Sequence, residues 1–431
     1  MASKKPPKRV ALNELTAEQY AHYQARYRVT DDKGRYLAWD EFQPRKDRGD
    51  DSTIAWTFTR NARDASMQRI AFADEKGQQA GFNLTPTILE ACASADRTGT
   101  SQALELMTAH LGNVIAAMEL LRFEEAISSS QLEGANTTTL IAREMLETGR
   151  KPRTVGEHMI MSNARLMDEI RQHLEEPLTV DLIQQLHAVG MSGIDDGKYK
   201  PGQIRETDDV VIEDAWGEIV HQPPAAALLP GRLQLICDFA NDGSAYIHPL
   251  IRACILHFML AHEHPFNDGN GRTSRALFYW FMLKSGYGVF RYVSISSLLK
   301  SAASAYGKSY QHTEGDGMDL TYFLEHQCKL ILRALEAFAD YTQKTIFRRS
   351  QIDKYLFESG AFKRLSKRQA DMLAVIYASP EKPFSAVEMA ELMGVSENTA
   401  RNDLRQLLRE NLLEYVKINK QLTRYISKYQ L

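Results

Sequence analysis

The stretch HPFNDGNGRTSR, residues 264 to 275, gathers a ring base, a carboxylate, two glycines flanking an asparagine and two arginines into twelve positions. Each of these types has a use at a phosphate. His264, nearly neutral at pH 7 in its ordinary state, can take a proton from an incoming hydroxyl. Asp268 can hold a Mg²⁺ that neutralises phosphate oxygens. Gly269 and Gly271 let a bulky anion come close to the backbone, and a helix starting just after GNG turns its free N–H groups and positive end toward the loop. Arg272 and Arg275, three apart on the first turn, can grip phosphate oxygens with their planar forks. Phe266 sits among the polar residues as an anchor into the core. Together these groups predict chemistry on a Mg²⁺-bound nucleotide polyphosphate with a histidine base beside it.

Such a loop needs a rigid frame. In HPLIRACILHFMLAHE, Pro249 suits a first helical turn and Arg252 is the one charged residue through Ala261, so the helix is apolar nearly all round and belongs at the centre of a helical domain. TSRALFYWFMLKSG begins a second helix, stopped by Gly286. Apolar residues at three and four spacings between about 100 and 180 predict amphipathic helices, and helices are expected to continue to about residue 350. Before the central helix, the β-prone runs VVI and EIV flank EDAWG and predict a hairpin. Residues 1 to about 90 show no clean periodicity and predict short elements packed on the main body.

At 431 residues the chain exceeds what one core usually serves, so two or three domains are expected. Its 44% hydrophobic and 25% charged residues are those of a soluble globular protein. The opening MASKKPPKRVALNEL has no apolar run behind its basic residues, and no long uncharged apolar stretch follows, which predicts a cytoplasmic protein without a membrane partner. Cys92, Cys237, Cys254 and Cys328 are scattered, against both a zinc site and a disulfide framework.

From residue 361 the pattern changes to two helices meeting near Gly394 and two β-prone runs after Leu412 and Leu413, the order of a winged helix-turn-helix. Residues 361–431 carry 12 Lys and Arg against 8 Asp and Glu, the remainder 40 against 47. Ser396 suits an N-cap, and Arg401, Arg405 and Arg409 recur every four residues as one basic stripe on the recognition helix. Lys417, Lys420, Arg424 and Lys428 decorate the wing. This pattern fits phosphate contact with DNA; a winged helix serves contact with protein equally well.

HPFNDGNGRTSR also matches every fixed position of HxFx(D/E)GNGRxxR, the motif of the Fic (Fido) family, and the buried helix and hairpin before it resemble that family's core. The resemblance implies a mainly α fold. A Fic-type catalytic core with a β-hairpin flap would span 178–330, after a helical region with an inhibitory helix at 96–177 and an N-terminal region of open fold at 1–95. A connecting helix or linker at 331–360 and the winged helix-turn-helix at 361–431 would follow. The implied activity is protein AMPylation, the transfer of AMP from ATP to a Ser, Thr or Tyr hydroxyl of a target protein with release of pyrophosphate. On that pattern His264 is the base and Asp268 the metal ligand. Asn270 with the Gly269 and Gly271 backbone holds the α-phosphate region, Asn267 counts with them as nucleotide-binding, and Arg272 and Arg275 take the β- and γ-phosphates. Val210, Val211 and Ile212 resemble the flap edge that docks an extended segment of the target.

Upstream, SSSQLEGAN places Ser129 and Glu133 four apart on one helix face, with Gly134 suited to end the helix. It matches the family's inhibitory pattern (S/T)xxxE(G/N). An arginine paired with Glu133 cannot take the γ-phosphate, so low basal activity is expected, with Arg275 as the partner. Some family members also use this glutamate to remove AMP from targets. Two other functions fit the same residues: a nucleotide-sensing, DNA-binding transcriptional regulator, and a Fic enzyme using another donor. The partners implied are ATP, an unidentified target protein, DNA through the C-terminal domain, and a second copy in a homodimer.

Overall fold

The computed structural model describes residues 4–109, 118, 120–194, 200–213, 216–378, 382–417 and 423–428. Part of the helical stretch expected before residue 120, the Asp214–Ala215 turn of the hairpin and Lys420 of the wing lie outside the described residues.

The centre of the main body is the helix Pro249–Glu263, here the feeder helix, packed along Asn270–Lys284, the motif helix. His248 caps the feeder helix through Nδ1, which accepts the Leu250 N–H at 3.1 Å, and Pro249 fills the first turn, where a missing N–H leaves nothing unpaired. Every residue from Leu250 to Leu260 is buried, as the all-round apolar pattern predicts. Arg252 enters that core with its fork turned to carbonyls, Phe239 O at 3.2 Å and Ala245 O at 3.0 Å. The motif helix starts at Asn270, earlier than the sequence predicts, so Asn270 and Gly271 already lie in its first turn and Gly269 is its cap. Val155–Gln172, Val180–Gly190 and Leu229–Asn241 pack on this pair, and Pro86–Thr98 closes another side. All four cysteines are buried free thiols within helices.

Residues 96–177 include Glu124–Leu132, Thr139–Thr148 and Val155–Gln172, which share a small core around Ile127, Ala142, Met145 and Ile160. In the N-terminal region, Ala17–Arg26, Ser52–Ser66 and the antiparallel pair Gln68–Ala73 and Gln79–Phe82 build an aromatic cluster and fasten it to the main body. Buried Arg60 pairs with Asp319 at 2.6 Å, and Arg63 lies 3.7 Å over the Tyr36 ring. The predicted hairpin is shorter than its sequence runs: Ile212–Glu213 pairs antiparallel with Ile219–His221, and Val210 and Val211 precede the first strand.

One helix, Thr321–Glu358, crosses the boundary drawn at 330 and most of the 331–360 connector, so core and connector share an element. Ile331, Leu335 and Phe338 are buried in the main core, Ile352 and Leu356 in a second one. Around that second core lie Lys367–Ala378, Ala386–Met393, Glu397–Arg409 and the antiparallel strands Leu413–Lys417 and Thr423–Ser427. Gly394, at φ +64°, makes the turn between two of the helices. Among the described residues no helix is long and apolar enough to cross a membrane.

Candidate active site

His264 stops the feeder helix. Its N–H reaches Leu260 O at 3.1 Å, and it takes the left-handed conformation, φ +47°, that a glycine usually supplies there. Holding an L-residue this way costs about 1 kcal/mol, so the imidazole is kept at the position in spite of the backbone. The half-buried ring turns Nδ1 to Ala261 O at 3.3 Å. A carbonyl only accepts, so Nδ1 carries the proton and Nε2 a lone pair. Burial pushes the imidazole down to about 4, against the pull of the Ala261 carbonyl, and the ring is neutral at pH 7.

The loop after it is closed by its own side chains. Asn270 clamps Phe266 at both ends: Oδ1 accepts the Phe266 N–H at 2.9 Å and Nδ2 donates to Phe266 O at 2.7 Å. Phe266, fully buried, stacks face to face on His187 with ring centres 3.7 Å apart. His187 accepts the Gly202 N–H on Nδ1 at 2.9 Å and so donates from Nε2 to Asp268 O, also at 2.9 Å. Burial holds this ring down to about 4, which keeps that single-proton form. Gly269, at φ +76°, has no room for a Cβ, which would stand 2.5 Å from Met191 Sδ. Arg205 grips the loop from the other side, Nε donating to His264 O at 2.9 Å and its backbone N–H to Pro265 O at 2.9 Å. Asn267 is half-buried, and the Asp268 carboxylate is exposed beside the start of the motif helix.

The two arginines part company. Buried Arg272 donates to Gly190 O at 2.8 Å and to Met191 Sδ at 2.7 Å, at the end of the Val180–Gly190 helix. Arg275 turns to the Glu124–Leu132 helix, Nε to Ser129 Oγ at 2.9 Å and NH2 to Ser129 O at 3.2 Å. Its NH2 also meets Glu133 Oε1 at 2.8 Å. Arg275 is 2% exposed and Glu133 28%, so the pair is open on the carboxylate side. Burial pushes the Glu133 carboxyl up, but the Arg275 charge and hydrogen bond, with Arg272 behind it, hold it below the usual carboxylate range. That carboxylate also crowds the motif helix: a Cβ on Gly271 would stand 2.1 Å from Glu133 Oε1. Glu133 therefore sits over the first turn, where the free N–H groups and the helix dipole favour an anion.

Residues 177–282 match the model of the Fic/DOC family. Over those residues the chain is similar to a Fic/DOC domain. The protein adenylyltransferase Fic of Drosophila willistoni is 28% identical over 244 residues, 52% of this chain and 47% of that protein. Its counterpart in Drosophila melanogaster is 27% identical over 249 residues, 52% of this chain and 48% of the other. The chain thus spans about half the length of the curated relatives it matches. A Fic family protein from Desulfovibrio desulfuricans G20 superposes with a TM-score of 0.52 at 17% identity, over 80% of this chain and 97% of that one, a likeness of fold.

Within the 264–275 motif, the structure gathers His264, Asp268, Gly269, Gly271 and Arg275 around one helix start, with Ser129 and Glu133 brought to it from upstream; Gly134, at φ +90°, follows them where the upstream helix ends. Two expected roles look different in place. The Asn270 side chain is spent on Phe266, which leaves its backbone to face an anion, and Arg272 is held by Gly190 and Met191 away from Arg275. His187 and Arg205 escaped the sequence reading. A lone histidine in LIQQLHAVG and an arginine in GQIRET carry no local signal, because their partners lie 81 and 59 residues away. Buried Glu125 escaped it too: it accepts the Tyr279 hydroxyl at 2.8 Å and fastens the upstream helix to the motif helix. His187→Phe keeps the stacking on Phe266 and removes both hydrogen bonds, leaving Gly202 N–H and Asp268 O without this partner. We expect it to lower unfolding stability by roughly 2 kcal/mol in urea titration; an unchanged midpoint would show that the ring only fills space.

Proposed function

We propose that this chain transfers AMP from ATP to a Ser, Thr or Tyr hydroxyl of a target protein, releasing pyrophosphate, and that Glu133 restrains the transfer. The observation that carries the reading is the Glu133 carboxylate seated at the start of the motif helix and bound to Arg275, an anion in an anion site a few residues from a neutral histidine. In the transfer, His264 Nε2 takes the proton of the target hydroxyl, whose oxygen attacks the α-phosphorus as pyrophosphate leaves. The N–H groups of the first turn face the phosphates, and Arg275, once free of Glu133, takes the γ-phosphate. Asp268, one exposed carboxylate at the phosphate site, suits a Mg²⁺ that keeps several waters and draws its other ligands from the nucleotide. When bound, that ion would neutralise phosphate charge. Val210 and Val211 run into the short Ile212–Glu213 strand, and we assign this flap edge to docking an extended stretch of the target.

Labelling with α-³²P-ATP and γ-³²P-ATP in parallel tests the reading. Label on protein from the α position alone is the expected result, and label from the γ position would mean kinase chemistry. The restraint is also expected to outlast mild acid. A carboxyl held below its usual value near 4.3 keeps its ion pair, and the stability that pair contributes, until the pH falls below that value. The ratio of Glu133→Gly to wild-type labelling should therefore stay constant from pH 8 to about 5; a rise of wild-type labelling near pH 6 would show that protonating Glu133 releases the site.

A second reading, a nucleotide sensor acting through DNA, has the exposed Arg401, Arg405 and Arg409 of the Glu397–Arg409 helix in its favour. A sensor has no need of His264 in a strained backbone, so transfer is the preferred reading.

A further inference from the structure

On the flap side of the catalytic histidine lies a cluster that the transfer does not use. His221 ends the Ile219–His221 strand, His262 stands two residues before His264, and Glu314 comes from the Ala303–Gly315 helix. Both rings are buried, and the glutamate divides its carboxylate between them. Its Oε2 is 2.9 Å from His221 Nδ1, and its Oε1 is 3.1 Å from His262 Nδ1.

The protons decide what this arrangement needs. His221 Nε2 lies 2.8 Å from the backbone oxygen of His262, which can only accept, so Nε2 carries a proton. A neutral His221 then points the Nδ1 lone pair at a carboxylate oxygen, and only a positive charge on or between those atoms makes that favourable. A second proton would serve. A metal ion serves as well, and the surroundings suit it. Imidazole ligands characteristically donate their other N–H to a backbone carbonyl, as His221 does to His262. The three ligand atoms lie within 4.8 Å of one another and come from three separate elements. Zinc holds such atoms at about 2.0–2.2 Å, so neighbours on one tetrahedral ion stand roughly 3.3 Å apart; the two nitrogen–oxygen spacings, each to a different oxygen of Glu314, are slightly shorter, and the widest spacing, up to 4.8 Å, closes by a small side-chain movement as the ion enters. The cluster opens on a groove of about 820 Å³ between the flap and the N-terminal region, from which water can complete the shell.

We propose that His221, His262 and Glu314 form a transition-metal site of the zinc class, two imidazoles and one carboxylate with a position open to the groove. The ion ties the flap strand to the end of the feeder helix, which delivers His264. This is a different site from Asp268, and the proposal does not depend on AMP transfer.

The test uses the full chain without a polyhistidine tag. Zinc retained after dialysis is measured by mass spectrometry for wild type, His221→Gln, Glu314→Gln and Asp268→Ala, with circular dichroism to check folding. Wild type and Asp268→Ala should each retain one equivalent, and the two cluster variants should bind zinc at least about tenfold more weakly. On wild type alone, Co²⁺ should give the visible absorption of a four-coordinate site, and zinc should slow amide exchange in residues 212–221. Equal zinc in wild type and cluster variants, or Co²⁺ spectra of the hydrated ion, would overturn the proposal and leave the trio as a protonated histidine–carboxylate network. Exchange unaffected by zinc would overturn the tie to the flap.

Discussion

Glu133→Gly should raise transfer of α-label to protein on the order of 100-fold over wild type, the scale on which an ångström-level misplacement of a reacting group acts. The argument starts from Arg275. Its guanidinium is held by Ser129 through Nε and by Glu133 through NH2, with the whole side chain 2% exposed. Removing Glu133 frees one N–H of NH2 while Ser129 still holds Nε and the other side of NH2, so the arginine stays oriented for a phosphate. It also clears the space over Gly271, where the carboxylate now stands closer than a Cβ would allow. One substitution therefore opens both the anion site and its cation. The same change removes the carboxylate from a buried charge, and we expect it to lower stability by about 1–3 kcal/mol in the absence of ligand. ATP then replaces the missing anion, so ATP should raise the Tm of Glu133→Gly more than that of wild type. Labelling no higher than wild type would reject the restraint. Higher labelling with no larger ATP shift would mean that Glu133 acts on the target and not on the nucleotide.

What the sequence made legible follows from the range of each interaction. The feeder helix announces itself because a helix buried on every side must be apolar on every side, and only Arg252 breaks that run before its polar end. The loop announces itself because phosphate chemistry demands glycines and arginines close together in the chain. Pairings across the fold leave no such trace. Nothing local says that Glu133 will lie against Gly271, that Phe266 needs His187 as its platform, or that Arg272 will spend its hydrogen bonds on Gly190 and Met191. Glu133 is legible because its motif resembles one that pairs with such a loop, not through any property of residues 129 to 134 alone. The boundary drawn at 330 falls inside one helix for a related reason: Thr321–Glu358 has no Gly or Pro to mark where one core hands over to the next.

In a chain already released by Glu133→Gly, His264→Ala should cut transfer by about 10²- to 10⁴-fold, the range that general-base catalysis supplies, and leave ATP binding intact. The ring is tied to the frame of the site by the 3.3 Å contact from Nδ1 to Ala261 O. The loop itself is held by Asn270, His187 and Arg205, so truncating the imidazole should leave the loop closed. The backbone at φ +47° is costlier still for alanine than for histidine, which argues for His264→Asn as the companion variant, since asparagine tolerates that conformation and cannot act as a base. Both variants should shift Tm with ATP as far as their parent does while losing label together. That pattern requires the imidazole in the chemical step. If instead the variants transfer AMP at the parent's rate, the target hydroxyl loses its proton elsewhere, and the strain at His264 serves the turn between the two central helices alone.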